Sequence, residues 1–216
     1  MKKFAIVLSG CGVYDGTEIH EATLSMLAIA RLGGSYQVFA PDMDQHHVIN
    51  HLTGMVMEES RNVLVESARI ARGKIRDLKE FHPDEFDGLL FPGGFGAAKN
   101  LCSWAFDGAN ATVLPEVEDA IKGMVQLHKP IGALCISPVI LAKVLGGVRL
   151  TIGDDQATAR ALESVGATHT SATHGEVVVD HKFKLATTPC YMLEATIDQI
   201  ADGAENVVKA MLELMR

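Results

Sequence analysis

Residues 130–138 read PIGALCISP, an apolar run that stops abruptly at a cysteine. Residues 131–134 are predicted to form a short buried strand, and Ser137 and Pro138 are a typical N-cap and first residue of a helix. Cys135 therefore lies at a strand-to-helix turn, where backbone N–H groups at the helix start face its sulfur. This position is expected to lower the pKa of the thiol and to favour the nucleophilic thiolate. The alternative is an inert core cysteine, because free cysteine is among the most buried residue types.

Short apolar strands alternate with helices on both sides of this turn. Further strands are predicted over residues 4–9, 36–40, 88–91 and 148–152, and a hairpin over 176–179 and 183–186. Helices are predicted over 18–32, 59–72, 114–127, 137–145 and 154–165, with more helix running to the end of the chain. The alternation predicts an α/β protein with a mainly parallel sheet and helices on both faces. No linker or repeat divides it, so residues 1–216 are predicted to form a single domain.

Composition restricts the classes of function. The chain has 216 residues, of which 48% are hydrophobic and 21% charged, which is typical of a globular protein. A net charge of -8 argues against nucleic acid and anionic membranes as partners. The four cysteines form no CxxC pair, so neither a disulfide framework nor a zinc site is expected. Because the apolar run at residues 4–8 is too short for a signal peptide, we expect a cytoplasmic protein.

Three glycine-containing turns follow predicted strands that end near Ser9, Phe91 and Leu134. The carboxyl ends of parallel strands meet at one edge of a sheet, so these turns are expected to line a single crevice. Gly93 and Gly94 allow backbone N–H groups to approach a reacting atom closely. The N–H of Gly94, with those around Cys135, is a candidate oxyanion hole.

Other side chains are weaker candidates for the same crevice. Glu21, one turn into the first helix, is the acid expected to exchange a proton with Cys135. Glu18 is the competing acid, although acids are common in first helical turns anyway. Cys11 lies in the first crevice loop and is a candidate for substrate binding. His174 is a further candidate, provided that the fold brings it to Cys135.

Two alternative interpretations concern binding sites. His47 and His51 have the i,i+4 spacing of metal ligands on a helix, but no third ligand accompanies them and a solvated loop is the better interpretation. Gly10, Gly12 and Gly16 follow a strand in the manner of a dinucleotide-binding turn. Asp15 and Glu18 would oppose a pyrophosphate there, and the last glycine departs from the usual spacing. We therefore expect no cofactor and no metal.

The chain resembles the DJ-1/PfpI superfamily, which has the class I glutamine amidotransferase-like fold. Within it, the chain is most similar to the ElbB/ES1 branch, which is associated with isoprenoid biosynthesis and glyoxalase activity. The first resemblance is carried by the early helix with Glu21 and by FPGG at 91–94, ALCIS at 133–137 and LATTP at 185–189. The second is carried by SGCGVYDG at 9–16, EIHEA at 18–22, NHLTG at 50–54, PGGFGAAKNL at 92–101 and LTIG at 150–153.

The resemblance implies a flavodoxin-like three-layer sandwich, a homodimer and a cysteine nucleophile elbow. It also implies conversion of glyoxal or methylglyoxal to glycolate or lactate without glutathione, metal or cofactor, with apparent deglycation as a side effect. Cys135 would be the nucleophile and Glu21 its acid partner. Gly93, Gly94 and Ile136 would surround the oxyanion, with the N–H groups of Gly94 and Cys135 as donors.

One departure from the family pattern bears on mechanism. The superfamily's proteases have a histidine directly after the cysteine, whereas this chain has Ile136, which argues against a Cys-His protease dyad. A glutaminase-like amidotransferase is not supported either, because no Cys-His-Glu triad is evident. The alternative function is non-enzymatic: Cys135 would act as a redox sensor, or the fold as a scaffold, and the sequence does not separate this from catalysis.

Overall fold

The computed structural model describes residues 1–216, in which nine strands alternate with seven α-helices. The strands are β1 (Lys3–Val7), β2 (Ser35–Ala40), β3 (Ile75–Asp77), β4 (Gly88–Phe91), β5 (Ile131–Leu134), β6 (Arg149–Leu150), β7 (Thr168–His169), β8 (Val178–Asp180) and β9 (Leu185–Thr188). The helices are α1 (Ile19–Arg31), α2 (Val63–Ile70), α3 (Trp104–Asp107), α4 (Pro115–Gln126), α5 (Pro138–Leu145), α6 (Gln156–Ser164) and α7 (Ile197–Leu214).

Seven strands form one sheet in the order β3-β2-β1-β4-β5-β9-β8. All neighbouring pairs are parallel except β8 and β9, which are antiparallel and correspond to the predicted hairpin. The remaining two strands, β6 and β7, form a separate small sheet. The predicted mainly parallel sheet is therefore confirmed.

Alternate strand residues face two separate hydrophobic cores, because successive side chains of a strand point to opposite faces. In β1, Ala5 and Val7 join the core formed with α4 and α5, whereas Phe4 and Ile6 join the core formed with α1 and α7. Strands β4 and β5 are fully buried, as expected for a parallel sheet covered on both sides. The predicted flavodoxin-like arrangement of helix layers on both faces is confirmed.

Several observed elements differ from the prediction. Strand β3 was not predicted, since its three residues contain only one apolar side chain, Ile75. Helix α2 begins at Val63 rather than near Glu59, because the Asn62 side chain accepts the N–H of Val65 and caps the helix there. The strand predicted over 148–152 is reduced to β6 and lies outside the main sheet.

The turns after β1, β4 and β5 are joined by polar side chains at the carboxyl edge of the sheet. The Asn100 amide donates to the carbonyls of Ser9 and Asp15, and its oxygen accepts the N–H of His46. The Ser137 hydroxyl donates to the carbonyl of Pro92 at 2.7 Å. These bonds hold the crevice loops in fixed relative positions.

None of the helices has the length and apolar character needed to span a membrane.

Candidate active site

Cys135 lies at a sharp turn between β5 and α5. Its φ angle is 59°, in the left-handed region that residues with a side chain rarely adopt. Its backbone N–H donates to the carbonyl of Thr188 at 3.0 Å, which ties the turn to β9. Strained backbone of this kind persists only where the surroundings over-determine it, and it is concentrated at functional sites. The predicted strand–cysteine–helix elbow is present.

Ser137 occupies the predicted N-cap position of α5, but its side chain makes no capping hydrogen bond. The hydroxyl instead reaches across to the Pro92 carbonyl. The prediction of a capping side chain is therefore wrong, because the backbone of Ser137 is already helical and a neighbouring loop offers a buried acceptor. The side chain joins the elbow to the glycine loop that follows β4.

Glu21 is fully buried on the first turn of α1. Its Oε2 atom accepts the N–H of Gly93 at 2.7 Å, and its Oε1 atom accepts the N–H of Tyr191 at 3.3 Å. The carboxyl group also hydrogen-bonds the Cys135 side chain. A Cβ atom on Gly93 would lie 2.7 Å from Glu21 Oε2 and 3.0 Å from Cys135 Sγ, so only glycine fits between them. The structure thus brings together the two side chains predicted to exchange a proton.

Burial controls the ionisation of this pair. Burial, and then the Glu18 carboxylate, raises the pKa of Glu21 to about 8, although N–H donors oppose the shift. Burial, and then Glu21, raises the pKa of the Cys135 thiol well above its usual range. The prediction of a lowered thiol pKa is therefore wrong, because Cys135 is only 6% exposed and desolvation outweighs the N–H groups at the start of the helix. The resting pair holds its protons at neutral pH.

Two of the four backbone N–H groups around the elbow face the sulfur. These belong to Gly94 and Ile136, and both hydrogen-bond the Cys135 side chain. The N–H of Gly93 donates to Glu21 and that of Cys135 donates to Thr188, so neither is free to hold an oxyanion in this structure. Gly94 has a φ angle of +96°, and a side chain there would collide with the backbone before α1.

The other predicted candidates lie outside this group. The charges that act on Cys11 come from Glu66, Arg69, Asp15 and Arg61, and Cys11 shares no hydrogen bond with Cys135 or Glu21. His174 is exposed, and its Nε2 atom bonds the carbonyl of Glu194 at 2.8 Å. The structure therefore does not join His174 to Cys135.

The two alternative binding sites also have other roles. His47 and His51 lie in a loop rather than on a helix, and no cluster of three or more His, Cys, Asp or Glu side chains has metal-binding geometry. The N–H groups of Gly10, Gly12 and Gly16 donate within the protein, to Ser67 Oγ and to the carbonyls of Thr17 and Gly12. This loop offers no set of free N–H groups to a pyrophosphate.

Sequence reasoning named Glu18 as a competing acid but did not predict that it forms a group with His20 and Tyr191 beside Glu21. We call it the entrance group, because the His20 side chain is 49% exposed whereas Glu21 is fully buried. Glu18 Oε2 accepts the N–H of Glu21 at 2.7 Å, and His20 Nδ1 lies 2.9 Å from the hydroxyl of Tyr191. Tyr191 is separated from Glu21 by 170 positions, so no local pattern links them. The only signal was its place just after the LATTP segment.

No protein-family model matches the chain, but individual proteins do. A human protein named glutamine amidotransferase-like class 1 domain-containing protein 3, mitochondrial, is 50% identical, and the alignment covers 98% of this chain and 83% of that protein. The crystal structure of an isoprenoid biosynthesis protein with an amidotransferase-like domain from Ehrlichia chaffeensis superposes with a TM-score of 0.94 at 34% identity, covering both chains fully. Glyoxalase III from Candida albicans has a TM-score of 0.62 at 14% identity over 97% of each chain, which shows the shared fold alone.

The human relative corrects one expectation. It is named as mitochondrial, as are the rat and zebrafish ES1 proteins that also match. The prediction of a cytoplasmic protein is contradicted by these names. The short apolar run at residues 4–8 was a weak basis for that prediction, because cellular location is specified by targeting segments that are read separately from the fold.

Fold and relatives agree with the resemblance found in the sequence motifs. The parallel sheet with helices on both faces superposes on solved structures of the DJ-1/ThiJ/PfpI group at 18% and 19% identity, which shows a shared fold. Sequence identity of 50% to the human protein extends over nearly the whole chain. The chain belongs to the ES1 family of glutamine amidotransferase-like class 1 proteins, and it shares its fold with solved structures of the DJ-1/ThiJ/PfpI group.

Proposed function

We propose that the protein is a glyoxalase that converts glyoxal, and also methylglyoxal, to the 2-hydroxy acid without glutathione. The observation that carries the proposal is the enclosed Cys135–Glu21 pair with the N–H groups of Gly94 and Ile136 directed at the same sulfur. This group combines a nucleophile, a proton carrier and two oxyanion donors. The fold shared with a glyoxalase III supports the proposal at the level of architecture.

The first step of the proposed reaction is addition of the thiol to an aldehyde carbon. Ionised Glu21 takes the proton of Cys135 as the sulfur–carbon bond forms, and the carbonyl π electrons move to oxygen. The N–H groups of Gly94 and Ile136 stabilise the developing oxyanion, which then takes the proton from Glu21 to give a hemithioacetal and leaves Glu21 ionised again. An ionised thiol is not required beforehand, because the base lies next to the sulfur.

The second step moves a hydrogen from the attached carbon to its neighbour. Glu21 removes the proton from the carbon bound to sulfur, giving an enediol, and returns it to the adjacent carbon, giving a 2-hydroxy acid thioester. Water then cleaves the carbon–sulfur bond, and glycolate or lactate leaves with the thiol restored. Overall, one molecule of glyoxal or methylglyoxal and one water give one 2-hydroxy acid, so the reaction needs no external oxidant or reductant.

The enclosure of Cys135 supports a small substrate. Only 6% of its surface is exposed, so a small molecule can bring a reactive carbon to the sulfur more easily than a bulky one. Glyoxal and methylglyoxal have four and five non-hydrogen atoms, whereas a glycated protein side chain is attached to a large body. Apparent deglycase activity would then follow from removal of free aldehyde.

Steady-state assays of glyoxal and methylglyoxal consumption, with product identified as glycolate or lactate, test the proposal. We expect turnover by the unaltered protein and its loss in Cys135→Ala. Cys102→Ala is the matched control, since Cys102 is also buried but bonds the Ala97 carbonyl in the other core. Full activity in Cys135→Ala, or none in the unaltered protein, contradicts the proposal.

Further properties implied by the family resemblance are part of the same proposal. They are a single domain over residues 1–216, a homodimer and an association with isoprenoid biosynthesis. The last is named for the Ehrlichia chaffeensis relative. Light scattering at several protein concentrations tests the dimer. A redox sensor or scaffold remains the alternative function, but the raised pKa of Cys135 does not favour it, since oxidation follows thiolate character and exposure.

A further inference from the structure

The proposed rearrangement changes protonation at two carbons and two oxygens of the substrate. Glu21 moves a proton between the two carbons. A second group is needed to give a proton to the far oxygen, the one on the carbon not bound to sulfur, when the enediol forms. The titratable side chains whose charges act on or around Glu21 are Glu18, Cys135, Cys190 and Tyr191. Among these, only Tyr191 combines a hydroxyl donor with contact to an exposed proton carrier, His20.

Tyr191 contacts the catalytic acid and the exposed histidine at once. Its backbone N–H donates to Glu21 Oε1 at 3.3 Å, and its hydroxyl lies 2.9 Å from His20 Nδ1. The two rings are tilted at 48° with centroids 5.9 Å apart. His20 is the second residue of α1 and directly precedes Glu21, so helix α1 carries one residue into the interior and its neighbour to the surface.

Glu18 connects the two ends of the entrance group. Its Oε2 atom accepts the N–H of Glu21, and its Oε1 atom lies 3.9 Å from His20 Nδ1. Burial, with Glu18 and Glu21, raises the pKa of the Tyr191 hydroxyl, so that this hydroxyl stays protonated and can donate.

We propose that Tyr191 and His20 complete the catalytic group, with the Tyr191 hydroxyl binding the second oxygen of a 2-oxoaldehyde held on Cys135. The inference rests on the proposed function, because glyoxal and methylglyoxal have the second oxygen that the hydroxyl would bind and a simple aldehyde does not. Tyr191 acts on the substrate directly. His20 is a positioning residue that holds the hydroxyl and exchanges its proton with solvent.

The proton balance of this assignment closes. When the enediol forms, Glu21 takes the proton from the carbon bound to sulfur and Tyr191 gives a proton to the far oxygen. Tyr191 regains a proton from solvent through His20. When the enediol becomes the thioester, Glu21 returns its proton to the second carbon, and the oxygen near Gly94 loses its proton to solvent. The enzyme ends the step in its starting protonation state.

The test uses Tyr191→Phe and His20→Ala in the full chain, with His174→Ala as a matched exposed histidine that bonds only the Glu194 carbonyl. Tyr191→Phe keeps the ring and the backbone N–H on Glu21. We expect kcat for glyoxal to fall about 100-fold in Tyr191→Phe, as for loss of a general acid, with little change in KM. His20→Ala should lose part of kcat and regain it with added imidazole, while His174→Ala should match the unaltered protein.

Alkylation of Cys135 by iodoacetamide is measured on the same variants, because it reports the Cys135–Glu21 pair without any glyoxalase turnover. Unchanged alkylation with reduced kcat supports the assignment. Unchanged kcat in Tyr191→Phe, with active unaltered protein and inactive Cys135→Ala, overturns this inference alone. Reduced alkylation in Tyr191→Phe also overturns the inference, since the effect on kcat is then structural. If imidazole fails to rescue His20→Ala, the proposed role of His20 is wrong. An unaltered protein without dicarbonyl turnover overturns the proposed function, and this inference with it.

Discussion

Gly93 and Glu21 are joined by a 2.7 Å hydrogen bond from the backbone N–H to the carboxyl oxygen. The Gly93 carbonyl in turn accepts the N–H of Glu18 at 2.9 Å. Gly93 therefore holds the start of α1 through two hydrogen bonds, and we call this pair of bonds the clamp. The clamp places the carboxyl group against Cys135. It also uses a polar partner to satisfy a carboxyl group that burial would otherwise penalise.

The activity is predicted to rise with pH through a pKa of about 8. Glu21 must be ionised to take the thiol proton, and its carboxyl group is protonated below its raised pKa of about 8 and ionised above it. We therefore expect kcat/KM for glyoxal to increase tenfold per pH unit below that value and to level off above it. Glu21→Gln should abolish the rise along with most activity. An activity maximum below pH 6 would contradict this assignment.

Glu21 is also predicted to make the folded protein less stable as pH rises. Glu21 keeps its proton up to about pH 8 in the folded state, whereas an exposed glutamic acid side chain in the unfolded chain loses its proton near pH 4.5. Folding therefore takes up a proton between these values, and the stability falls by about 1.4 kcal/mol per pH unit in that window. This loss of stability is absent below about pH 4.5 and stays constant above about pH 8. Glu21→Gln should flatten this part of the curve in urea unfolding at several pH values; equal slopes in both proteins would refute the prediction.

Gly93→Ala is predicted to damage both stability and activity. The new Cβ atom would lie 2.7 Å from Glu21 Oε2 and also against the Cys135 side chain, so the loop or the elbow must shift. We expect a loss of about 1–3 kcal/mol in the free energy of unfolding, as for other overpacked sites, and loss of glyoxal turnover. Gly147→Ala is the control, because its nearest contact would be 3.8 Å away. Equal behaviour of the two variants would show that the close approach is unimportant.

Ser137→Ala is predicted to loosen the contact between the elbow and the glycine loop. The change leaves the Pro92 carbonyl without the donor it has at 2.7 Å, in a fully buried position. An unsatisfied buried acceptor costs about 1–3 kcal/mol, which urea unfolding will detect. Ser164→Ala removes an exposed hydroxyl that bonds Ala161, and should change stability little. A neutral Ser137→Ala would mean that the loop is held by other bonds.

The sequence predicted the architecture well because strand periodicity and apolar runs depend on local residues. The run at residues 131–134 is strand β5 with the predicted bounds, and the helix after Cys135 begins at Pro138 as expected. Strand β3 was missed because its polar residues gain their extended form from pairing with β2. Propensity is overridden where a neighbouring strand supplies the hydrogen bonds.

The ionisation of the site was not predictable in the same way. The position of Cys135 at a helix start argued for a lowered pKa, and the N–H groups of Gly94 and Ile136 do act in that direction. Desolvation opposes them and is larger, but burial is a property of the packed structure and is not visible in a local pattern. The same holds for Tyr191, whose contact with Glu21 requires the end of β9 to pass beside α1.

By itself the sequence determined most of the strand and helix order and the elbow at Cys135, since these follow from residue types and short spacings. The choice of Glu21 over Glu18 as the partner of Cys135 depended on the family resemblance. Only the tertiary structure decided that Cys135 and Glu21 are enclosed and protonated. It also decided that the Gly93 N–H donates to Glu21 and not to an oxyanion, and that His20 contacts the Tyr191 hydroxyl. The physical reason is that desolvation and hydrogen-bond partnership depend on which distant segments are brought within a few ångströms of one another.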